Sequence, residues 1–425
     1  MNDMAQKLYT LLLYLAAPLI GLRLLLRARR QRDYLRHPGE RVGWYSKPRR
    51  SVGGETLWLH AVSVGEMQAA APLVAALRQR YPEQPLLITC TTPTGRAAGE
   101  ALHGKDHWIE IAYLPYDYPG AIRRFLNRFR PCLCVLLETE LWPNLMAAAA
   151  QRSLPVILAN ARLSRRSARG YARIARLAQP AFARLAATAA LSDADANRLA
   201  LLGAPHVTVC GNLKFDATPD ASLLQQGERW RAELGARPVW LAASTREGEE
   251  ILLLDAYRRL RRPDVLLVIV PRHPERFDAV ASLANERGFP LQRRSRGLPE
   301  AAHQLWLGDS MGELAAYYRM ADLAFIGGSL LPLGGQNLIE AAACGCPALI
   351  GPHTFNFARA SLDAITTGAA RRVYNVEDLT ATVKHLLETP AERARMSEAG
   401  PVFAAAHQGA TGRIMAVIEQ TLGKA

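Results

Sequence analysis

Apolar residues along this chain of 425 residues fall into short, continuous runs separated by stretches with helical spacing. In the first half the runs are Leu57 to His60, Leu86 to Cys90, Ile109 to Leu114, Cys132 to Leu137, Val156 to Asn160, Ala187 to Leu191 and Val207 to Cys210. Continuous, largely apolar runs spaced by helices predict parallel strands buried on both faces. A second series begins at Val239 to Ala242 and continues with Leu266 to Val270, Gln304 to Leu307, Leu323 to Ile326 and Ala348 to Ile350. The pattern predicts an α/β protein with two parallel-sheet domains in tandem and a cleft between them. Residues 34–216 form the first domain, a polar stretch at 217–230 reads as a linker, and 231–425 form the second. From Asp378 onward the chain is helical, and its last helices are expected to pack back on the first domain.

Residues 1–33 break this pattern. Leu8 to Leu22 is uncharged and largely apolar, and Arg23, Leu24 to Leu26, Arg27, Arg29, Arg30 and Arg32 follow. The run is short of the ~20 residues that span a bilayer, and it contains Pro18. No small-residue cleavage site follows it. The expectation is a helix on the cytoplasmic leaflet, its arginines against anionic headgroups. The alternative is a core helix of a soluble protein.

Hydrophobic residues make up 49% and charged residues 21%, which places the chain among folded globular proteins. The formal net charge of +14 calls for an anionic partner: nucleic acid, anionic lipid or a phosphorylated substrate. Basic and aromatic residues do not interleave as in RNA-binding domains, which ranks nucleic acid last. Cys90, Cys132, Cys134, Cys210, Cys344 and Cys346 show no CxxC or Cys/His spacing, so they read as reduced, buried thiols and no metal site is expected.

In parallel sheets ligands sit at the carboxyl ends of strands, and polar clusters fall there. Phe325 to His353 combines a strand, a glycine-rich loop (Gly327, Gly328, Gly334, Gly335) and a helix expected to open near Gln336. Glycines let amides approach a ligand, and a helix N-terminus suits a phosphate. Glu340, three residues after Asn337, shares its face. The same features would also make an ordinary strand-to-helix turn. HAVSVGE (His60 to Glu66) puts Glu66 in the first turn of a helix, as its cap or as a general base. ETELWPN (Glu138 to Asn144) brings carboxylates out of an apolar strand, which calls for a cation or a substrate. TTPTG (Thr91 to Gly95) and NARLSRRS (Asn160 to Ser167) sit at equivalent ends, and Arg162, Arg165, Arg166, Arg169, Arg173 and Arg176 form a basic face on one helix. GNLKFD (Gly211 to Asp216) closes the first half. ASTREGEE (Ala243 to Glu250), PRHPERF (Pro271 to Phe277) and GDSMGEL (Gly308 to Leu314) follow strands of the second.

HAVSVGE, LPYD, ETELWPN, NARLS, GNLKFD, PRHPERF, GDSMGEL, FIGGS and GPHTFNF, in this order from about Leu59 to Phe357, resemble the 3-deoxy-D-manno-octulosonic acid (Kdo) transferases. The departure is Gln336 and Leu338, where a His and a Pro are expected beside Asn337. The resemblance implies a GT-B fold, two Rossmann-like domains facing a cleft, with an N-terminal membrane-associated helix at the cytoplasmic side of the bacterial inner membrane. It implies transfer of Kdo, with inversion, from CMP-Kdo to lipid IVA, a tetraacylated disaccharide phosphate of lipopolysaccharide biosynthesis, without a separate cofactor. Carried over by residue, Glu66 resembles the catalytic base, and Glu138 and Lys214 the transition-state stabilisers. Pro271, Arg272, Met311, Gly312, Glu313, Asn337, Leu338, Ile339 and Glu340 resemble the CMP-contacting residues. A carboxylate can take the proton of the attacking hydroxyl, and nearby negative charge can stabilise an oxocarbenium-like state. Arg272, Lys214 and backbone amides can neutralise departing CMP. Two rivals are another GT-B enzyme that uses a UDP-sugar, transferase or epimerase, and a non-catalytic module that binds anionic lipid.

Overall fold

The computed structural model describes residues 2–46, 55–216 and 218–423. The chain forms two compact units, residues 1–217 with 408–425 and residues 218–407. In the first, β1 (Thr56–His60), β2 (Leu86–Cys90), β3 (Ile109–Tyr113), β4 (Pro131–Leu137), β5 (Val156–Ala161), β6 (Ala187–Ala190) and β7 (Val207–Val209) make one sheet in the order β3-β2-β1-β4-β5-β6-β7. Every pairing is parallel. Leu57 and Leu59 enter one core cluster while Trp58 enters the other, on the opposite face. Both faces are covered, which is why β1 is buried at each position and apolar from Leu57 to Leu59. Strand order reverses between β1 and β4, so their carboxyl ends flank the crevice where such sheets bind ligands.

Helices begin where the sequence supplies caps. Ser63, Thr92 and Ser192 accept an N–H from three residues on, and Pro119 and Pro143 open theirs. The final helix, Ala410–Leu422, belongs to the first unit: Ala410, Ile414 and Ile418 join the cluster that holds Leu57. Asp216 accepts from the N–H of Gly409 (2.8 Å) and Ala410 (3.3 Å), capping that helix. The helices Val376–Glu388 and Pro390–His407 stay with the second unit.

The N-terminal helix, Asn2–Arg30, is fastened along one polar edge. Gln6 Nε2 and Thr10 Oγ1 donate to Asn144 Oδ1 (3.2 and 3.0 Å), and the Tyr9 hydroxyl donates to Asp117 (3.1 Å). Leu8, Leu11, Leu12, Leu15, Leu19 and Leu22 are all more than half exposed. By length and composition the helix could cross a membrane. A soluble core would have covered those leucines, so the core-helix alternative does not describe it. The side chain of Arg30 lies outside the described residues.

The second unit has β8 (Val239–Thr245), β9 (Leu266–Pro271), β10 (Leu291–Arg293), β11 (Leu305–Leu307), β12 (Leu323–Ile326), β13 (Ala348–Ile350) and β14 (Ala370–Arg372), again all parallel. Their order is β10-β11-β9-β8-β12-β13-β14, with the reversal between β8 and β12. β10 and β14, which the apolar pattern does not predict, are three-residue edge strands carrying arginine, as edges commonly do.

The linker expected at 217–230 is a correction. Ala217 is outside the described residues, but Ala221–Leu234 is a helix capped by Asp220. Gly227 lets it press on the helix Leu314–Met320: a Cβ there would stand 2.5 Å from the Ala316 carbonyl oxygen. Trp230 packs on Trp306 and Tyr317, with ring centroids 5.1 Å away in both cases. Polar composition hid one buried tryptophan. The cysteines are free thiols, five of them buried and Cys132 partly so.

Candidate functional site

In the first unit the reversal of strand order puts two of the expected site residues together. After β1 the chain turns at Ser63 into the helix Val64–Arg80, with Glu66 in its first turn. Ser63 Oγ accepts from the Glu66 N–H (3.4 Å) and donates to Glu66 Oε1 (3.0 Å), while the Val62 N–H donates to Oε2 (2.8 Å). This is a variant of the capping box, the Glu66 carboxylate bonding the N–H before the cap and the Ser63 hydroxyl, so the capping reading of Glu66 is realised. The carboxyl is nonetheless pushed up to about 7: burial raises it, the Val62 bond opposes, and Glu138 and Glu140 raise it further. A helix cap has no need of that value, whereas a general base at neutral pH does.

After β4 the backbone enters the left-handed region at Glu138 (φ 59°), a conformation that costs about 1–3 kcal/mol for a residue other than glycine. It is held there by its N–H on the Ala159 carbonyl (3.0 Å). Lys214 Nζ stands 3.6 Å from Glu138 Oε1, both side chains roughly one-third exposed. Lys214 is placed by two asparagines. Asn160, itself left-handed (φ 50°), accepts from the Leu213 N–H (3.1 Å), and Asn212 accepts from the Lys214 N–H (3.1 Å). Glu66, Glu138 and Lys214 thus share one strand-end region.

Sequence reasoning counted Glu140 among the carboxylates of ETELWPN without giving it a role, and it passed over Asp117. Burial, then Glu138, raises the Glu140 carboxyl. Asp117, the acid of LPYD, accepts from the N–H groups of Asn144 (2.9 Å) and Leu145 (2.8 Å) at the start of the helix Pro143–Ala150, and burial pushes it up to about 7. It therefore links the N-terminal helix to the segment that carries Glu138. The signal available was the acid of LPYD, three residues past the apolar run Ile109 to Leu114. His60 is a core residue: its Nδ1 meets Thr89 Oγ1 (2.8 Å), and burial pushes it down to about 4.

The basic face is a second correction. Arg165–Arg173 and Ala175–Ala183 are separate helices meeting at Ile174. Arg165, Arg166, Arg169, Arg173 and Arg176 are exposed along them.

In the second unit, Arg272 follows β9, its N–H on the Thr245 carbonyl (3.0 Å) and its side chain exposed. Its guanidinium acts on Glu340, whose carboxyl is raised by desolvation, the Asn337 bond and Arg272 opposing. Glu340 keeps a solvent-exposed face within this crowded setting. Asn337 Nδ2 donates to Glu340 Oε1 (3.1 Å), so the two do share a face. The helix opens at Ile339, however, and not near Gln336: Asn337 Oδ1 accepts from the Ile339 N–H (3.1 Å), and only Ile339–Ala343 is helical. Leu338, Ile339 and Pro271 have buried side chains, so only their backbone is available to a ligand. Met311 is exposed and Gly312 is left-handed (φ 86°). The Glu313 carboxylate accepts from Gln226 (2.8 Å), Arg294 (2.9 Å) and Ser310; burial raises it, but these bonds prevail and hold it low.

The glycine loop is the third correction. The N–H of Gly327 goes to the Ala243 carbonyl, that of Gly335 to the Gly328 carbonyl, and those of Gly328, Ser329 and Leu330 to the carboxylate of Glu249. A Cβ at Gly327 would lie 2.4 Å from the Ser244 carbonyl oxygen, so that glycine serves backbone packing. Among the described residues no cluster of three or more potential metal ligands occurs.

Residues 36–217 match the family described as 3-deoxy-D-manno-octulosonic-acid transferase (kdotransferase), and residues 248–403 match the group 1 glycosyl transferases. A 3-deoxy-D-manno-octulosonic acid transferase of Bordetella pertussis is 42% identical, over 99% of this chain and 100% of that protein. One of Haemophilus influenzae is 37% identical, over 97% and 98%. Among solved structures, Anabaena HepE in complex with UDP superposes with a TM-score of 0.60 over 88% of this chain and 100% of that one; at 16% identity the likeness is one of fold.

Proposed function

The chain belongs to the Kdo transferases, glycosyltransferases of lipopolysaccharide biosynthesis with a GT-B-type fold, and on that premise we propose that it transfers Kdo, with inversion, from CMP-Kdo to lipid IVA. The observation that carries the reading is the Glu66 carboxyl, held near 7 at the strand-order reversal beside the Glu138–Lys214 pair. Glu66 takes the proton of the acceptor hydroxyl as it attacks the anomeric carbon of Kdo, and a base of this pKa serves at neutral pH. Val62 N–H and Ser63 Oγ hold its two oxygens, so the carboxylate is preorganised. Glu138, steadied by Lys214, supplies negative charge to the oxocarbenium-like state. CMP leaves as a phosphate monoester whose charge Arg272 receives, and Met311 to Glu313 and Asn337 to Glu340 hold the nucleotide. The scheme uses no metal and no separate cofactor.

The acceptor is embedded in lipid. The leucine face of Asn2–Arg30 enters the cytoplasmic leaflet of the bacterial inner membrane while its Gln6, Tyr9 and Thr10 edge stays on the protein. Arg27, Arg29 and the exposed arginines of Arg165–Arg173 attract the anionic headgroups.

The test is incubation of purified protein with CMP-Kdo and lipid IVA, with products analysed by mass and the new linkage by NMR. Kdo-bearing lipid IVA with inverted anomeric configuration is expected. Donor hydrolysis with lipid IVA unchanged would reject the acceptor, and a retained configuration would reject Glu66 as base.

A further inference from the structure

The turn after β12 lies where a doubly wound sheet ordinarily receives a nucleotide phosphate. Three successive N–H groups, those of Gly328, Ser329 and Leu330, converge there as in an anion-binding nest. The anion inside is the protein's own. Glu249, in the first turn of the helix Glu249–Leu260 and fully buried, accepts all three, with Oε1 at 3.1 Å from both Ser329 N and Leu330 N. Its Oε2 also accepts from the Arg246 N–H (3.0 Å). Among the described residues, four donors bond this carboxyl. Burial raises its pKa and these bonds oppose. A protonated acid would turn its own O–H toward those donors, so the ionised form is the one that fits.

Arg272 and the nest flank the same strand end. The Arg272 N–H reaches the Thr245 carbonyl of β8, and Arg246, the next residue, donates to Glu249. Across β8, the nest after β12 is therefore the next strand end from the one that carries Arg272, and the anion position nearest to it in the sheet order. We infer that Glu249 is a specificity-determining residue, a built-in anion that fills the loop's phosphate position, so that the donor site accepts a nucleotide with one phosphate and rejects one with two. A second phosphate would have to displace a tethered carboxylate or stand beside it as a like charge. The inference rests on the nucleotide-sugar reading above and adds the residue that enforces phosphate number.

Calorimetry with CMP and CDP on the full chain, Glu249→Ser and Glu249→Gln tests it. The parent protein should bind CMP at least about tenfold more tightly than CDP, the scale of a single charge-assisted hydrogen bond. Both substitutions should narrow that ratio by about tenfold through tighter CDP binding, because one negative charge is gone. A parent protein that binds CDP as tightly as CMP overturns the inference, as does a folded variant with the parent ratio. If Glu249→Ser loses its circular dichroism, the near-isosteric Glu249→Gln decides. If neither variant folds, competition by pyrophosphate against CMP on the parent protein decides, competition counting against the inference. Failure of the nucleotide reading itself looks different: the parent protein would bind neither CMP nor CDP.

Discussion

Replacing Glu66 by Gln separates capping from catalysis, because the two roles predict opposite changes in stability. Gln keeps an acceptor for the Val62 N–H, and its NH₂ can donate to the Ser63 hydroxyl, so these capping bonds survive. What disappears is the titration. A carboxyl near 7 in the folded state and near 4.5 in the unfolded chain binds its proton more tightly when folded. Stability from this group is therefore complete below about pH 4.5, declines as the pH rises and is gone above about 7. The interval corresponds to about 3 kcal/mol, which solvent screening at this half-buried site reduces to about 1–2 kcal/mol. Glu66→Gln should thus match the parent in thermal stability at pH 4 and exceed it at pH 8. Transfer should fall by about 10²–10⁴-fold, the usual contribution of a general base. The parent kcat/KM should rise with pH through an inflection near 7. The assays are calorimetric melting at the two pH values and initial rates of transfer. A variant of near-parent activity that melts earlier at pH 8 would refute the reasoning and leave Glu66 a cap.

Arg272→Ala should weaken CMP binding by about 1.5–3 kcal/mol, the worth of a charge-assisted contact, with an unchanged melting temperature because the side chain is exposed; unchanged CMP affinity in calorimetry would remove Arg272 from the donor site. Leu15→Glu, Leu19→Glu and Leu22→Glu together should sharply reduce flotation with anionic vesicles, since each buried leucine is worth about 1.5–3 kcal/mol. Transfer to a detergent-dispersed acceptor should suffer less, and undiminished flotation would reject the leucine face as the membrane contact.

The central strands were legible because burial on two faces favours apolar residues in succession, and Leu57 to Leu59 obeys this, with the buried His60 hydrogen-bonded to Thr89. Edge strands answer to a weaker rule, so Leu291–Arg293 and Ala370–Arg372 look like surface. The helix Ala221–Leu234 went unseen because Gly227 and Trp230 do the packing that a longer apolar stripe usually does. In the site, strand-end position singled out Glu66 and Glu138, whereas Lys214 was reached only through the resemblance carried by GNLKFD. The state of the glycine loop was not legible, since it depends on Glu249, about 80 residues earlier in the chain. Periodicity cannot show a contact made at that distance by a single carboxylate.

The final helix, Ala410–Leu422, is cored with the first unit although residues 218–407 stand between them in the chain. During synthesis the first unit must therefore wait. At about 5–20 residues per second the intervening stretch takes on the order of 10–40 s, during which the groove that Ile414 and Ile418 will fill is uncovered. The second unit, being continuous, can fold as it emerges. A nascent chain halted before Ala410 would thus present a finished second unit and an exposed apolar surface on the first, a state that chaperones and proteases can recognise. The arrangement makes the arrival of the last helix a checkpoint on the unit that carries Glu66.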